Sequence, residues 1–256
     1  MDRKINVVML CGNGQSSRIM YNAIVPQVNI QCVILENKPS GKTILQRRIK
    51  KIGFLKVLGQ VAFLFVNKFI AQASKTRIKQ ILSGYDLSAD SIPVDIIRYV
   101  DTINSEETIK LLKKYNPDAV VVNGTRIISK QVLSSVDVPF INTHMGITPK
   151  YRGVHGGYWA LAKGDVDNCG VTVHIVDEGV DTGGVLYQAS VKTDESDNFN
   201  TYPIHQIAKA IPLMLAALND VKEKRTSVKQ GVYPSGLWYH PTIVEYLRYW
   251  VQRGVK

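Results

Sequence analysis

The chain has 256 residues, of which 45% are hydrophobic, and this is enough for one large domain or one domain with appendages. Its three cysteines, Cys11, Cys32 and Cys169, stand far apart without C-x-x-C spacing, so the pattern argues against a disulfide framework or a structural zinc site, and no metal is expected. The formal charge of +11 is uneven: between residues 41 and 80 lie ten Lys or Arg and no Asp or Glu.

The start, MDRKINVVMLCGNG, holds apolar residues for about one strand before a glycine turn. It lacks the h-region and cleavage site of a secretory leader, so the expected compartment is the cytoplasm. Residues 5–10 (INVVML) read as a buried strand, and the turn CGNGQSS leads into a helix over 18–25. A second strand is expected over 30–36 (IQCVILE).

The basic segment follows, with the apolar run IGFLKVLGQVAFLFV at 52–66. At about 15 residues the run falls short of the ~20 needed to span a bilayer, and a helical pair flanked by cations is the expectation. Three readings stay open for it. Its apolar face packs on the domain while the cations are solvated, or it docks on an anionic membrane surface, which would place the protein at the inner face of the membrane. Nucleic-acid binding is the third and least supported, since no recognition fold or base-stacking motif accompanies the charge.

Beyond it, residues 95–100 (DIIRYV) predict a third strand, and 105–114 a helix opened by Ser105 and Glu106. The run AVVVN at 119–123 has the continuous apolar core of a parallel strand buried on both faces. Strands are also expected over 138–143 and 170–176. Residues 192–200 form a polar connection, and 201–221 a helix with Ile204, Ile207, Ile211, Leu215 and Leu218 along one face. The tail carries Trp238, Tyr239, Tyr246, Tyr249 and Trp250, expected to strap it onto the domain rather than to bind a ligand. Alternating strands and helices predict an α/β fold with a mostly parallel sheet flanked by helices. No repeat is evident, and nothing indicates the oligomeric state.

The densest chemistry lies in PFINTHMGITPKYRG and GVTVHIVDEGVDTGG. On a strand, Asn142 and His144 project to one face near the carboxyl end, where open α/β sheets bind ligands. An amide N–H can hold a developing oxyanion, a term of about 3 kcal/mol where such donors have been removed from enzymes. An imidazole can exchange protons with an amine. A carboxylate must then orient the imidazole or accept the amine's proton, and Asp177, Glu178 and Asp181 are the candidates, in a loop whose glycines, Gly179 among them, let it fold against a flat ligand. The early turn sets N–H groups at a helix start, which suits a phosphate, although it matches neither G-x-G-x-x-G nor a Walker sequence.

These pieces together resemble the folate-dependent N-formyltransferases, in texture the glycinamide ribonucleotide enzymes, with amino-sugar N-formyltransferases as relatives. The resemblance covers about residues 1–38 and 95–220 and implies a Rossmann-like formyltransferase fold. It implies a catalytic domain over 1–220, the basic insertion at 41–80, and an extension over 221–256. It places a catalytic triad on Asn142, His144 and Asp181, and 10-formyltetrahydrofolate as donor near Arg126, Ile127, Ile128 and the loop Asp177, Glu178, Gly179, Val180. It puts Thr172 and His174 behind the triad as support. It assigns the acceptor's phosphate to Gly12, Asn13, Gly14, Gln15, Ser16 and Ser17, with a plain strand-to-helix turn as the other reading. His155 and His205 are read as structural or surface residues, while His240 keeps a possible place at the site.

The acceptor side departs from the purine-pathway pattern. The apolar Ile207 stands where those enzymes carry a glutamate, GQSS replaces GSN, and both the insertion and the tail lack counterparts. The expected acceptor is a small-molecule amine bearing phosphate, an amino sugar of surface-polysaccharide synthesis. Glycinamide ribonucleotide, hydrolysis of the formyl donor, and a non-catalytic binding protein remain alternatives.

Overall fold

The computed structural model describes residues 3–37 and 41–256. The chain runs β1 (Asn6–Gly12), α1 (Gln15–Ile24), β2 (Asn29–Glu36), α2 (Gly41–Ile52), α3 (Phe54–Ala73), α4 (Lys75–Gly84), β3 (Ile97–Val100), α5 (Glu106–Tyr115), β4 (Ala119–Asn123), α6 (Lys130–Leu133) and β5 (Phe140–His144). It continues through β6 (Arg152–Gly153), α7 (Gly156–Ala162), β7 (Gly170–Ile175), β8 (Val185–Ser190), α8 (Tyr202–Lys222), β9 (Leu237–Trp238) and α9 (Ile243–Arg253).

Seven strands form one sheet in the order β3-β2-β1-β4-β5-β7-β8. The first five pair in parallel, while β7 is antiparallel to both β5 and β8. The mostly parallel α/β expectation therefore holds. Strand alternation divides the core in two. Val7, Met9, Val33, Val121, Ile141 and Val173 face the layer of α1 and α8, whereas Val8, Leu10, Cys32, Ile34, Val120 and Phe140 face the layer of α5 and α6. All three cysteines are free and buried.

Local chemistry explains most boundaries. Ser105 accepts from the Thr108 N–H as the N-cap of α5, with Glu106 and Glu107 in the first turn, Lys113 and Lys114 in the last, and Asn116 closing it in the left-handed conformation. At Gly12 a side chain would bring its Cβ within 2.6 Å of the Gly124 carbonyl oxygen, so glycine lets the ends of β1 and β4 approach.

Several expectations need correction. The first helix begins at Gln15 rather than Arg18. The expected strand at 95–100 opens as a 3-10 turn, Val94–Ile96, and only Ile97–Val100 pair. On α8 the core position is Met214, and Leu215 is only partly buried. The helical pair of the basic segment is three helices, divided at Gly53, whose φ is +84°, and at Ser74. Among these, α3 extends the 15-residue apolar run to 20 residues, long and apolar enough by length and composition to cross a bilayer.

One side of α3 is docked on the rest of the chain. Gln60 donates to the His240 carbonyl at 2.7 Å, Phe63 packs on Phe199 and Tyr246, and Asn67 and Asn200 exchange hydrogen bonds. The tail closes over the same region. β9 pairs with β6, and Tyr151, Trp159, Trp238 and Tyr246 share an aromatic cluster with Phe63.

Candidate functional site

Asn142 and His144 occupy alternate positions at the end of β5, and the antiparallel register sets His174 opposite Asn142 and Thr172 opposite His144. A carbonyl can only accept, so the 2.8 Å contact of His174 Nδ1 with the Ile175 oxygen puts the His174 proton on Nδ1. Its Nε2 is then an acceptor for the Asn142 amide at 3.1 Å. One Asn142 N–H is thereby committed and the side chain oriented, leaving the second N–H for a ligand. Thr172 is structural: its hydroxyl donates to the Gly146 carbonyl and accepts from the Thr148 N–H.

The same logic fixes His144. Its Nε2 donates to the Tyr151 carbonyl at 2.6 Å, and Nδ1 lies 3.3 Å from Asp181 Oδ2. Burial, the largest influence, holds the imidazole below its ordinary value, against the upward pull of Asp181 and of the Tyr151 carbonyl. The basic nitrogen is therefore Nδ1, and a proton arriving there meets a carboxylate. Burial raises Asp181, but His144, His174 and the Gly153 N–H outweigh it and hold the carboxyl below its usual range. Gly153 donates to Asp181 Oδ2 at 2.9 Å with φ at +97°, and any side chain there would run into the Trp238 carbonyl. That small residue serves both the carboxylate and the β6–β9 pairing.

These three residues line a cavity of about 1010 Å³. On one side lie Arg126, Ile127 and Ile128, following Gly124. The Arg126 guanidinium pairs with Glu36, and the Ile127 carbonyl accepts from Asn104 at 2.9 Å, so this loop is held by residues the sequence had not pointed to. Facing it are Asp177, Gly179 and Val180, with Asp177 Oδ1 accepting from the Gly179 N–H and the Thr182 hydroxyl. Glu178 is not in the lining and meets Lys130 at the surface. Val122, Ile128, Val176 and Val180 give this slot apolar walls beside backbone polar groups and a carboxylate, a lining that fits a flat heteroaromatic ring with a polar edge.

None of Gly12, Asn13, Gly14, Gln15, Ser16 or Ser17 lines the cavity. The Ser16 and Ser17 hydroxyls both accept from the Asn123 amide at 3.1 Å, which ties the turn to the end of β4.

The opposite wall comes from α2, which sequence reasoning did not connect to the site, and from the tail, where only His240 had been given a place there. Helix α2 contributes Arg47, Arg48 and Lys51, and the tail contributes Trp238, Tyr239 and His240. The aromatic tail is thus a cavity wall as well as a strap. His155, read from the sequence as a structural or surface residue, lines the cavity here too. It caps α7 with φ +58°, and its Nε2 lies 3.0 Å from His240 Nδ1. Burial pushes His155 down to about 3, aided by His240 and Arg48, and pushes His240 down to about 4, again aided by Arg48. Both rings are neutral near pH 7. A histidine directly before the Gly-Gly start of a helix was the one local signal. His205 is buried elsewhere, 3.0 Å from Asp197.

Residues 59–211 match the formyl transferase family, about three fifths of the chain. The chain belongs to the formyl transferase family. The matched residues contain Asn142, His144 and Asp181 but begin inside α3, leaving β1, its turn and α2 outside. A methionyl-tRNA formyltransferase from Thermodesulfovibrio yellowstonii is 38% identical over 102 residues, 40% of this chain and 33% of the relative. Another from Finegoldia magna is 36% identical over 129 residues, 50% and 37% of the two chains. This chain thus spans about a third of the length of these curated relatives.

Solved structures share the fold over most of its length. Glycinamide ribonucleotide transformylase 1 from Symbiobacterium toebii superposes with a TM-score of 0.58 at 18% identity, covering 90% of this chain and 93% of that one. A sugar N-formyltransferase from a Shewanella species gives 0.55 at 16% identity, covering 91% and 76%.

Proposed function

We propose that this protein transfers a formyl group from 10-formyltetrahydrofolate to a primary amine on a phosphate-bearing acceptor, with an amino sugar as the favoured class. The observation that carries the reading is the convergence of Asn142, His144 and Asp181 on one cavity whose far wall holds the α2 cations. The donor supplies an activated formyl carbon. Arg126, Ile127, Ile128 and the backbone of 177–181 hold its ring system, and the remaining Asn142 N–H is offered to the formyl oxygen as charge develops there. His144 Nδ1, backed by Asp181, takes the proton of the attacking amine and returns it to the leaving nitrogen. His174 keeps the Asn142 amide in register.

Arg47, Arg48 and Lys51 support an anionic acceptor, since guanidinium groups bind phosphate oxygens in pairs and the local field is positive. Tyr239 offers an aromatic surface to a sugar ring, and the neutral His155–His240 pair can hydrogen-bond hydroxyls. The buried Ile207 offers an acceptor no carboxylate, which weighs against glycinamide ribonucleotide.

The test is incubation with 10-formyltetrahydrofolate and a panel of nucleotide-linked amino sugars plus glycinamide ribonucleotide, read as the mass gain of one formyl group. The expected result is gain on an amino sugar, with Asn142→Ala lowering kcat by about a hundredfold or more. Formate release at full rate without any amine would assign the site to hydrolysis, and gain on glycinamide ribonucleotide alone would overturn the acceptor class.

A further inference from the structure

Helix α3 has two unlike sides. Val57, Gln60, Phe63 and Asn67 meet the folded chain at spacings of three or four, and Ser74, at the end of the helix, hydrogen-bonds Asn198 at 3.1 Å. The other side presents Phe54 and then Leu55, Leu58, Val61, Phe65 and Phe69, these five three or four apart. Leu55 is 81% exposed, Phe65 63% and Phe69 66%. The Phe65 and Phe69 rings touch each other at 5.5 Å, and nothing among the described residues covers them. A monomeric soluble surface seldom leaves such a stripe bare.

The surroundings select the occupant. Lys42 and Lys50 on α2, Lys56 and Lys68 on α3, and Lys75 and Lys79 on α4 are exposed on the helix that carries the stripe and on its two neighbours in the chain, and residues 41–80 contain no acidic side chain. Two copies meeting through this stripe in a two-fold interface would bring two such cationic sets together. An anionic bilayer supplies both an apolar interior and opposite charge. The helix cannot span that bilayer in this fold, because its docked side is held to the protein along its length.

We propose that α2, α3 and α4 form an interfacial membrane-docking module, with α3 lying in the plane of an anionic bilayer and sinking Leu55, Leu58, Phe65 and Phe69 below the headgroups. The module stands independently of the formyl-transfer reading. It places α2, and with it one wall of the cavity, at the lipid surface.

The experiment is co-sedimentation of the full chain with phosphatidylcholine vesicles, with and without phosphatidylglycerol. Binding is expected to the anionic vesicles and to fall with added salt. Substituting Phe65→Ser and Phe69→Ser together, or Lys56, Lys68, Lys75 and Lys79 each to Gln, should reduce partitioning by about tenfold or more while the melting temperature is kept. A wild-type chain that stays in the supernatant, or a serine variant that binds as the wild type does, would overturn the proposal. So would light scattering that finds a wild-type dimer dissociated by the serine substitutions, since the stripe would then belong to a second copy.

Discussion

At the residue scale, the site turns on which nitrogen carries which proton. The Tyr151 and Ile175 carbonyls each claim an N–H, leaving His144 Nδ1 and His174 Nε2 as the acceptors. A base at His144 works only when neutral, and burial sets its titration below the ordinary 6.5. The acid limb of kcat/KM for formyl transfer should therefore lie below pH 6.5. In Asp181→Asn the main upward pull on His144 is gone, so the limb should move further toward acid while kcat falls by about a hundredfold. A pH profile of wild type and variant checks both, and a limb that moves toward neutrality would show that Asp181 does not act through His144.

Elements hold the cavity's far wall in place, and α9 does so from the tail. Thr242 and Glu245 form a reciprocal capping box, Tyr246 one turn later packs on Phe63 of α3, and the carbonyl of His240 receives Gln60. Thr242→Ala should lower the unfolding free energy by about 1 kcal/mol in urea titration. At this scale the sequence was legible where one strong pattern sufficed. The AVVVN strand matches β4 residue for residue, and alternation alone placed Asn142 and His144 on one face. It was less legible where patterns were weak or partners remote. In β8 only Val185 and Leu186 are buried and the rest alternates half-exposed, so its signal is faint. Gly53 breaks the basic segment by its backbone angle, and hydropathy does not register that. Arg47, Arg48 and Lys51 reach the cavity from about a hundred residues before Asn142, and His155 meets His240 across 85 positions. Neither spacing leaves a local trace.

Across the whole molecule, one polar knot joins segments that are far apart in sequence. The buried carboxylate of Asp197 accepts from Arg77 of α4 at 3.0 Å and lies 3.0 Å from His205 of α8. Burial raises Asp197, yet Arg77, the Asp194 N–H and His205 together hold it below the carboxylate range. A carboxyl depressed on folding adds stability above its unfolded value, and that contribution is lost as pH falls through the folded one. Asp197→Asn should therefore cost roughly 2 kcal/mol near neutrality and flatten the acid side of the stability curve, as measured by urea titration across pH. Helix α2 is the opposite case. It has no buried residue, yet it supplies three cations to the cavity. A segment free of core duties can change its sequence without unfolding the central sheet, so α2 behaves as an exchangeable part: its replacement would redraw the electrostatics of one wall and leave the apparatus on β5 and β7 untouched.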